Sequence, residues 1–563
     1  MTMYPLPPTL NVFVILYKHL SASHGTLAKS PKIIFLSKSL VFRAKTEYDI
    51  TQHAKANSPP KRGPDQLYRK KVNHMLYHST RNNNGAVDAS QAILSGLAPD
   101  GGLYMMDRIP SLDLAQIMQQ DVYGMAETIL SALLPSIENM GRLVRQAYDH
   151  KFRTPELTPT RPVGPYGVLE LFHGPTSAFK DVALCMLPQL ISAAKQQKKM
   201  EDTILILTAT SGDTGKAALA GFQDVPGIKI CVFYPHGGVS AVQRAQMVTQ
   251  RGENVKVCAV QGNFDDAQTG VKNIFAADAK DHLAEAKGVR LSSANSINIG
   301  RLAPQVTYYF KSYQDLLNAG RIQMGDEVNF TVPTGNFGDI LAGYLAKCMG
   351  LPVGKLICAS NANNVLTDFI RTGLYDRRRP LLKTQSPSMD ILISSNLERM
   401  LYLLSDNNTQ LIADLMSQLS KEGFYQISDE MLTKLQKEFW AGCCDDETSL
   451  QTIRRVWEEH HYVCDTHTAV AWEVAEQYQK ETGDDRPMVV LSTASPYKFP
   501  ASVLSAIAPE EAANLADEFE QMNLLSSLTG TEIPQALAEL SALPERHLDV
   551  IPKDTMLEYV LNI

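Results

Sequence analysis

The stretch of sequence that decides the fold is Thr203-Ile-Leu-Ile-Leu-Thr-Ala209, which runs directly into Thr210-Ser211-Gly212-Asp213-Thr214-Gly215. A continuous run of apolar and β-branched residues is typical of a strand with both faces buried, as in a parallel sheet. The glycine-rich turn after it leads into residues 216–222, which are rich in alanine and read as a helix. A buried strand, a tight turn and a helix are the repeating unit of an α/β fold.

The same alternation recurs along the chain. Further buried strands are predicted at residues 229–234, 255–260, 328–332, 355–359 and 488–492, with helical stretches such as 239–250 and 264–286. Helical patterns without strand signals cover residues 111–150, 398–440 and the acidic tail from about 507. We therefore predict an α/β fold of parallel sheets covered by helices, with a helical N-terminal domain and helical insertions. Ligands of such sheets bind beyond the carboxyl ends of the strands, so the following loops are expected to carry function.

Composition sets the outer limits. The chain has 563 residues, of which 44% are hydrophobic, so it can bury a large core in two or more domains. A formal net charge of −7 gives no general case for binding nucleic acid or a membrane surface. The eight cysteines form no CxxC pair, so neither a metal site nor a disulfide framework is predicted, and a reduced, cytoplasmic interior is expected.

Residues 1–74 differ from the rest because they carry 12 Lys and Arg against 3 Asp and Glu. Three interpretations are open: a basic targeting arm, an exposed linker, or sequence upstream of a true start at Met75. Lysine dominates this segment, unlike a transit peptide, and globular patterning begins at Met75. These features favour the upstream-start interpretation, and the segment is expected to be poorly ordered.

Two glycine-rich turns each carry the chain from a buried strand into a helix. They are residues 210–215 and Pro333-Thr-Gly-Asn-Phe-Gly-Asp339. Unpaired N–H groups and the helix dipole favour an anion at such a point, although a single turn of this kind more often only connects two elements. Two of them in one chain suggest two anionic groups held close together, and neither has the spacing of a Walker A loop.

A lysine at a helix start is the third feature. Lys180 follows Glu170-Leu-Phe-His-Gly-Pro-Thr-Ser-Ala-Phe and opens a predicted helix. A lone lysine there is normally exposed, but an apolar approach that buries it would lower the pKa of its amine, as a Schiff-base lysine requires. Such a lysine with two anion-binding loops fits pyridoxal phosphate carrying an amino-acid substrate. One loop would bind the cofactor phosphate and the other the substrate carboxylate.

These motifs resemble the threonine synthase family of pyridoxal-phosphate enzymes, which has the tryptophan-synthase-β fold, or fold type II. The core of the resemblance is His173-Gly-Pro-Thr-Ser-Ala-Phe-Lys180-Asp, Ser211-Gly-Asp-Thr-Gly215 and Thr334-Gly-Asn-Phe-Gly338-Asp. It begins at Tyr77-His-Ser-Thr-Arg81 and reaches Thr493-Ala-Ser-Pro-Tyr-Lys-Phe499, roughly residues 75–505. The opening motifs are similar to the longer bacterial and fungal type of this family.

The resemblance implies a role for each matching residue. Lys180 would carry the cofactor and act as the catalytic base. The other residues implied to bind the cofactor are Gly335, Asn336, Phe337, Gly338, Asp339 and Thr493. Those implied to bind the substrate are Ser211, Gly212, Asp213, Thr214, Ser296, Asn298 and Arg301. The last three would hold a phosphate, for which the planar donor fork of arginine is suited, although such an arginine by itself is more often a surface residue.

Two positions stay open. Ser495 stands where the family often has His, and His467 could be either a structural or a catalytic histidine.

The implied domains are 75–165 (N-terminal), 166–200 with 303–505 (large, cofactor-binding), 201–302 (smaller α/β) and 506–563 (helical tail).

The implied reaction converts O-phospho-L-homoserine and water to L-threonine and phosphate, by γ-elimination and addition of water at Cβ. The alternatives are a phosphohomoserine lyase or dehydratase-like enzyme that gives 2-oxobutyrate, or a non-catalytic binding module on the same fold. The expected partner is the small-molecule substrate, with no nucleic acid or membrane. The expected oligomeric state is a monomer or homodimer.

Overall fold

The computed structural model describes residues 75–563, so the expectations for residues 1–74 fall outside the described residues. The strands are β1 (Tyr77–Ser79), β2 (Asn82–Val87), β3 (Tyr104–Met106), β4 (Thr160–Val163), β5 (Tyr166–Glu170), β6 (Thr203–Ala209), β7 (Ile228–Pro235), β8 (Val255–Gln261), β9 (Val289–Ser293), β10 (Val328–Pro333), β11 (Val353–Ser360), β12 (Leu374–Asp376), β13 (Phe424–Gln426), β14 (Phe439–Cys443), β15 (Met488–Ser492) and β16 (Asp549–Pro552).

The helices are α1 (Ala89–Ser95), α2 (Leu114–Ile117), α3 (Val122–Leu133), α4 (Met140–Tyr148), α5 (Lys180–Gln197), α6 (Asp213–Phe222), α7 (Ala241–Val248), α8 (Phe264–Asp281), α9 (Ile299–Leu302), α10 (Val306–Asn318), α11 (Gly338–Cys348), α12 (Val365–Thr372), α13 (Leu397–Leu404), α14 (Thr409–Glu422), α15 (Asp429–Glu438), α16 (Asp446–His460), α17 (Thr466–Thr482), α18 (Pro500–Ile507), α19 (Pro509–Ala512), α20 (Glu518–Thr529), α21 (Gln535–Ala538) and α22 (Met556–Leu561).

The larger sheet has the strand order β14-β11-β10-β15-β5-β4. Its neighbours run parallel except for the pair β4–β5 at one edge. Every residue of β10 and β15 is buried, as expected for central strands covered on both faces. Helix α17 packs across β10, β11, β14 and β15.

The smaller sheet has the order β16-β8-β7-β6-β9, with all neighbours parallel. Strand β6 begins and ends where the apolar run predicts, at Thr203 and Ala209. Together the two sheets confirm the predicted α/β fold class. The turns after β6 and β10, and the segment from β5 to α5, all follow carboxyl ends of strands, where ligands of such sheets bind.

Three regions predicted as helical also contain strands. Residues 398–440 include the short strand β13 and the first residues of β14. The N-terminal region includes the antiparallel sheet β2-β1-β3, whose β1 and β3 are only three residues long. The tail after residue 506 includes β16, which adds a parallel edge strand to the smaller sheet. Strands this short hold too few residues to show an alternation in sequence, and they form because a neighbouring strand offers its open edge.

Within residues 75–563, no helix is both long enough and apolar enough to cross a bilayer.

Candidate active site

The lysine predicted to carry a cofactor is the first residue of α5. The loop before it is fixed by Asp181, whose carboxylate accepts hydrogen bonds from the N–H and hydroxyl of Thr176 at 2.8 and 2.5 Å. Gly174 is required in this loop because a Cβ there would lie 2.4 Å from the Cβ of Asp181. These contacts hold Lys180 at the helix start.

The amine of Lys180 is buried, with only 9% of the side chain exposed. Its Nζ lies 3.5 Å from Asp213 Oδ2, 3.5 Å from Ser388 Oγ and 4.3 Å from the centroid of the Phe179 ring. Burial lowers the pKa of the Lys180 amine from 10.5 to about 8, although Asp213 acts in the opposite direction. The geometry thus provides the desolvated amine that the sequence predicts.

The carboxylate of Asp213 lies between two lysines. Its Oδ2 faces Lys180, and its Oδ1 lies 2.6 Å from the Nζ of Lys498. Gln243 donates to Oδ1 at 3.0 Å and the hydroxyl of Ser388 donates to Oδ2 at 3.4 Å. Burial alone would raise the pKa of Asp213, but the two lysines hold it far below its usual range, so the group is ionised.

The loop between β10 and α11 has the shape of an anion cradle. A Cβ at Gly335 would lie 2.7 Å from the carbonyl oxygen of Ser388, and Phe337 adopts the left-handed conformation with φ of 59°. Helix α11 begins at Gly338, so the first N–H groups of the helix have no partner within it. Gly335 thus admits the close approach of the Ser388 carbonyl, while the N–H groups at the start of α11 are of the kind that bind a phosphate.

The segment Ser394–Asn396, which sequence reasoning missed, holds this loop against the 296–301 turn. Asn396 donates from its N–H and its amide to the carbonyl of Asn336, at 3.0 and 3.1 Å. Ser395 donates to Asn336 Oδ1 at 3.2 Å, and its hydroxyl lies 3.1 Å from that of Ser296. The two groups of residues predicted to bind the two phosphates are therefore hydrogen-bonded to a common segment.

Arg399 supports the same turn from behind. Its guanidinium is fully buried and donates to the carbonyls of Tyr104 at 3.0 Å and Ile297 at 2.6 Å, with a longer bond to the carbonyl of Ser296 at 3.4 Å. Asn396 accepts a further bond from Arg399. This arginine fixes the backbone from which Ser296 projects.

Arg301 is brought to the loop of residues 211–214, which is predicted to bind the substrate. It is 5% exposed and donates to the carbonyl of Ala294 at 2.7 Å and to the hydroxyl of Thr214 at 3.4 Å. Burial lowers the pKa of Arg301 to about 10, which still leaves it charged at neutral pH. Both acceptors are neutral, so the charge of this guanidinium is available to an anion.

Asn298, also predicted to bind the substrate phosphate, is occupied within the protein. Its Oδ1 accepts the N–H of Gly300 at the start of α9, and its amide donates to the carbonyls of Ile93 and Ser293 at 3.0 and 3.2 Å. These bonds favour a role in shaping the turn. A direct contact with substrate stays a prediction that they do not support.

Asp339 and Thr493, two of the residues predicted to bind the cofactor, are both buried close to the start of α5. Asp339 Oδ1 accepts hydrogen bonds from the hydroxyls of Tyr308 and Tyr309 at 2.6 and 2.8 Å, while its buried Oδ2 has no hydrogen-bond partner among residues 75–563. Burial raises the pKa of Asp339 to about 6. Thr493 is buried, and its carbonyl accepts the N–H of Phe179 at 2.8 Å, which places it beside the start of α5.

Ser495 and His467, whose roles the sequence left open, both form hydrogen bonds within the protein. The hydroxyl of Ser495 accepts the N–H of Tyr497 at 3.4 Å and so caps the turn Pro496–Lys498. His467 Nδ1 lies 2.6 Å from Asp465 Oδ2, and its Nε2 accepts the N–H of Ser388 at 3.2 Å. His467 is thus linked to Lys180 through Ser388, which is a positioning contact.

The residues fit pyridoxal phosphate. The buried amine of Lys180 is suited to an aldehyde, and the loop from Gly335 to the start of α11 offers helix N–H groups to a phosphate. These features, at the carboxyl edge of a parallel α/β sheet, define a pyridoxal-phosphate-dependent enzyme of fold type II.

Comparison with known families narrows the class. Residues 152–494 match the family described as pyridoxal-phosphate dependent enzyme, residues 76–148 the threonine synthase N terminus, and residues 468–558 the threonine synthase C-terminal region. The chain belongs to the threonine synthase family.

Individual relatives agree. The chain is 38% identical over 483 residues to threonine synthase of Pseudomonas aeruginosa, an alignment that covers 84% of this chain and 98% of the relative. It is 39% identical to threonine synthase-like 1 of Macaca fascicularis over 81% of this chain, but it spans only 63% of that relative's length. The crystal structure of PLP-bound threonine synthase from Brucella melitensis superposes with a TM-score of 0.75 at 36% identity, over 87% of this chain and 99% of that one.

Substitution of Gly335, the first glycine of the loop between β10 and α11, tests whether this loop binds the cofactor phosphate. We expect Gly335→Ala to weaken cofactor binding about ten- to hundredfold, because displacing the Ser388 carbonyl to admit a Cβ costs about 1–3 kcal/mol. Titration of the cofactor-free protein with pyridoxal phosphate measures the affinity. The matched control is Gly124→Ala in α3, where a Cβ would come no closer than 3.3 Å to any atom. Unchanged affinity in G335A would contradict the placement of the phosphate.

The lowered pKa of Lys180 sets the pH dependence of cofactor capture by the cofactor-free protein. Only the neutral amine attacks an aldehyde, and with a pKa of about 8 the neutral fraction falls about tenfold for each pH unit below that value. The capture rate, followed by stopped-flow absorbance, should rise correspondingly and level off above about pH 8. Pyridoxine 5′-phosphate, which has no aldehyde, should lack this slope. A capture rate independent of pH below 8 would contradict the assignment.

Proposed function

We propose that the chain is a threonine synthase, which converts O-phospho-L-homoserine and water to L-threonine and inorganic phosphate. The observation that carries the proposal is Arg301, a buried cation with only neutral acceptors that lies beside the substrate loop. Its donor fork matches a phosphate on the substrate, separate from the cofactor phosphate at residues 335–339. An enzyme acting on an unphosphorylated amino acid has no need of a buried cation at the position of Arg301.

The substrate is held at both ends in this proposal. Its carboxylate binds the loop formed by Ser211, Gly212, Asp213 and Thr214, through N–H groups at the start of α6 and hydroxyls. Its phosphate binds Arg301 and Ser296. The Thr214 hydroxyl that accepts from Arg301 connects the two ends, so both anions lie within reach of Lys180. Gly335–Asp339 and Thr493 are assigned to the cofactor.

Lys180 performs the proton transfers. Bound pyridoxal phosphate supplies an electron sink for carbanions next to the substrate nitrogen. The neutral Lys180 amine removes the proton at Cα. It then assists the removal of a second proton, at Cβ, which allows the C–O bond at Cγ to break. Phosphate leaves from Cγ while Arg301 holds it. A proton is then returned to Cγ, the oxygen of water bonds to Cβ while that water releases one proton alongside the phosphate, and a proton returns to Cα, which gives threonine and leaves the Lys180 amine neutral again.

Product analysis tests the proposal. The full chain, loaded with pyridoxal phosphate, is incubated with O-phospho-L-homoserine, and threonine, 2-oxobutyrate and phosphate are measured in the same samples. We expect one threonine for each phosphate released. Mostly 2-oxobutyrate would mean that water addition is not controlled and that the chain is a phosphohomoserine lyase. No phosphate release would overturn the substrate assignment.

We further propose the setting in which the enzyme works. All eight cysteines are free thiols, which suits a reducing, cytoplasmic compartment. The small-molecule substrate is proposed as the partner, and the formal charge of −7 gives no general case for binding nucleic acid. A monomer or homodimer is proposed, with residues 166–200 and 303–505 as the large domain and 201–302 as the smaller one.

A further inference from the structure

A second lysine is buried deeper than the catalytic one. Lys498 lies in the turn Pro496–Lys498 after β15, and its side chain is 0% exposed. Its Nζ lies 2.6 Å from Asp213 Oδ1 and donates to the carbonyl of Thr176 at 3.3 Å. The same carboxylate is 3.5 Å from Lys180 through its other oxygen. Asp213 is therefore paired more closely with Lys498 than with Lys180.

This arrangement matters because Lys180 changes its charge during catalysis. Lys180 is neutral as a base and cationic after it accepts a proton, whereas a buried carboxylate needs a cation at every stage. If Lys180 were the sole partner of Asp213, the ion pair would hold its amine in the charged form. Lys498, whose Nζ lies 2.6 Å from Asp213 Oδ1, is placed to provide a second countercharge.

We propose that Lys498 is a positioning residue that holds the negative charge of Asp213 throughout turnover, so that the Lys180 amine is free to gain and lose its proton. The inference rests on the proposed role of Lys180 in proton transfer. Lys498 acts through Asp213 and does not touch the substrate.

The other charged groups around the pair come from five elements. Arg301 of α9 and Asp339 of α11 act electrostatically with Lys180, and His467 of α17 with Asp213. Asp181 of α5 and Lys216 of α6 act electrostatically with Lys498. All five remain in the variants at Lys498 and Asp213, so a shift between those variants reports on the two substituted positions.

The test uses Lys498→Met, which keeps the length of the side chain and removes its charge. The absorbance of the bound cofactor in the substrate-free enzyme is titrated with pH, because it reports the charge at the lysine nitrogen that carries it. Without Lys498, the carboxylate has only Lys180 as a partner, so we expect the titration to move to higher pH by about one unit. The acidic limb of the kcat/KM profile should move in the same direction.

Removing the charges of both Asp213 and Lys498 distinguishes an effect of the lost charge from an effect of altered packing. In the double variant D213N/K498M neither buried charge remains, and we expect the titration to return toward that of the wild type. The control Lys216→Met removes another lysine that follows the same loop but whose Nζ donates to Gln250 at 2.7 Å, and it should leave the titration unmoved.

The outcomes are distinct. An unshifted titration in K498M would overturn the inference whatever substrate the enzyme accepts. If K498M does not fold, Lys498→Gln, which also removes the charge but keeps a hydrogen-bonding group, takes its place: a titration moved to higher pH supports the inference and an unmoved one overturns it. Failure of the wild type to convert O-phosphohomoserine would overturn the proposed function instead, and the substrate-free titrations would remain readable.

Discussion

Lys180→Ala should lower kcat by about 10⁴-fold or more, the largest loss expected for any single substitution in this chain. Each proton transfer by a well-placed group contributes about 10²–10⁴-fold, and Lys180 is proposed to serve in at least two. It also provides the covalent attachment that orients the cofactor. Initial rates of phosphate release from O-phosphohomoserine give kcat, and mass spectrometry after borohydride reduction should locate the cofactor on Lys180 in the wild type and find no adduct in K180A.

The matched control for this prediction is again Lys216→Met. Burial lowers the pKa of Lys216 to about 8, as it does for Lys180, but its amine faces Gln250 instead of Asp213. We expect K216M to retain the activity and the adduct. Substantial turnover by K180A, or an adduct on a different lysine, would show that the wrong amine has been assigned.

The fold was largely readable from the sequence because its central strands are buried on both faces. Strand β6 coincides with its apolar run, and β15 also matches the predicted residues 488–492. The elements that were not foreseen are held by contacts distant in sequence. Strand β16, for example, pairs with β8 almost 300 residues earlier and is largely exposed, so it has no apolar run to reveal it.

The candidate site likewise contains residues that the sequence indicated and residues that it did not. The sequence indicates three features of the site, because glycine, proline and charged residues stand at the ends of strands and helices. These features are Lys180, the two glycine-rich loops and Arg301. Ser388 and Gln243 carry no such signal, since ordinary polar residues become informative only when folding places them against Asp213. Lys498 lies within a recognised motif, but its burial against Asp213 could not be inferred from spacing.

Arg301→Gln should reduce kcat/KM for O-phosphohomoserine by about 30- to 5000-fold, mainly through a higher KM. The glutamine is of similar polarity but cannot form a charge-assisted fork, and removing one partner of a buried charged contact costs about 2–5 kcal/mol. Inhibition by inorganic phosphate should weaken in parallel, since the same guanidinium is proposed to bind the leaving group. Steady-state kinetics with and without added phosphate measure both effects.

Three comparisons make this result specific to the substrate phosphate. Arg301→Lys keeps the charge but loses the planar fork, so its loss should lie between those of the wild type and R301Q. Arg290→Gln, in β9 on the same approach to the turn, removes an exposed ion pair with Asp202 and should leave kcat/KM unchanged. Binding of L-threonine, which carries no phosphate, should be nearly the same in R301Q and the wild type when followed by cofactor absorbance. If threonine binding falls as far as phosphohomoserine turnover, Arg301 shapes the whole pocket and does not select a phosphorylated substrate.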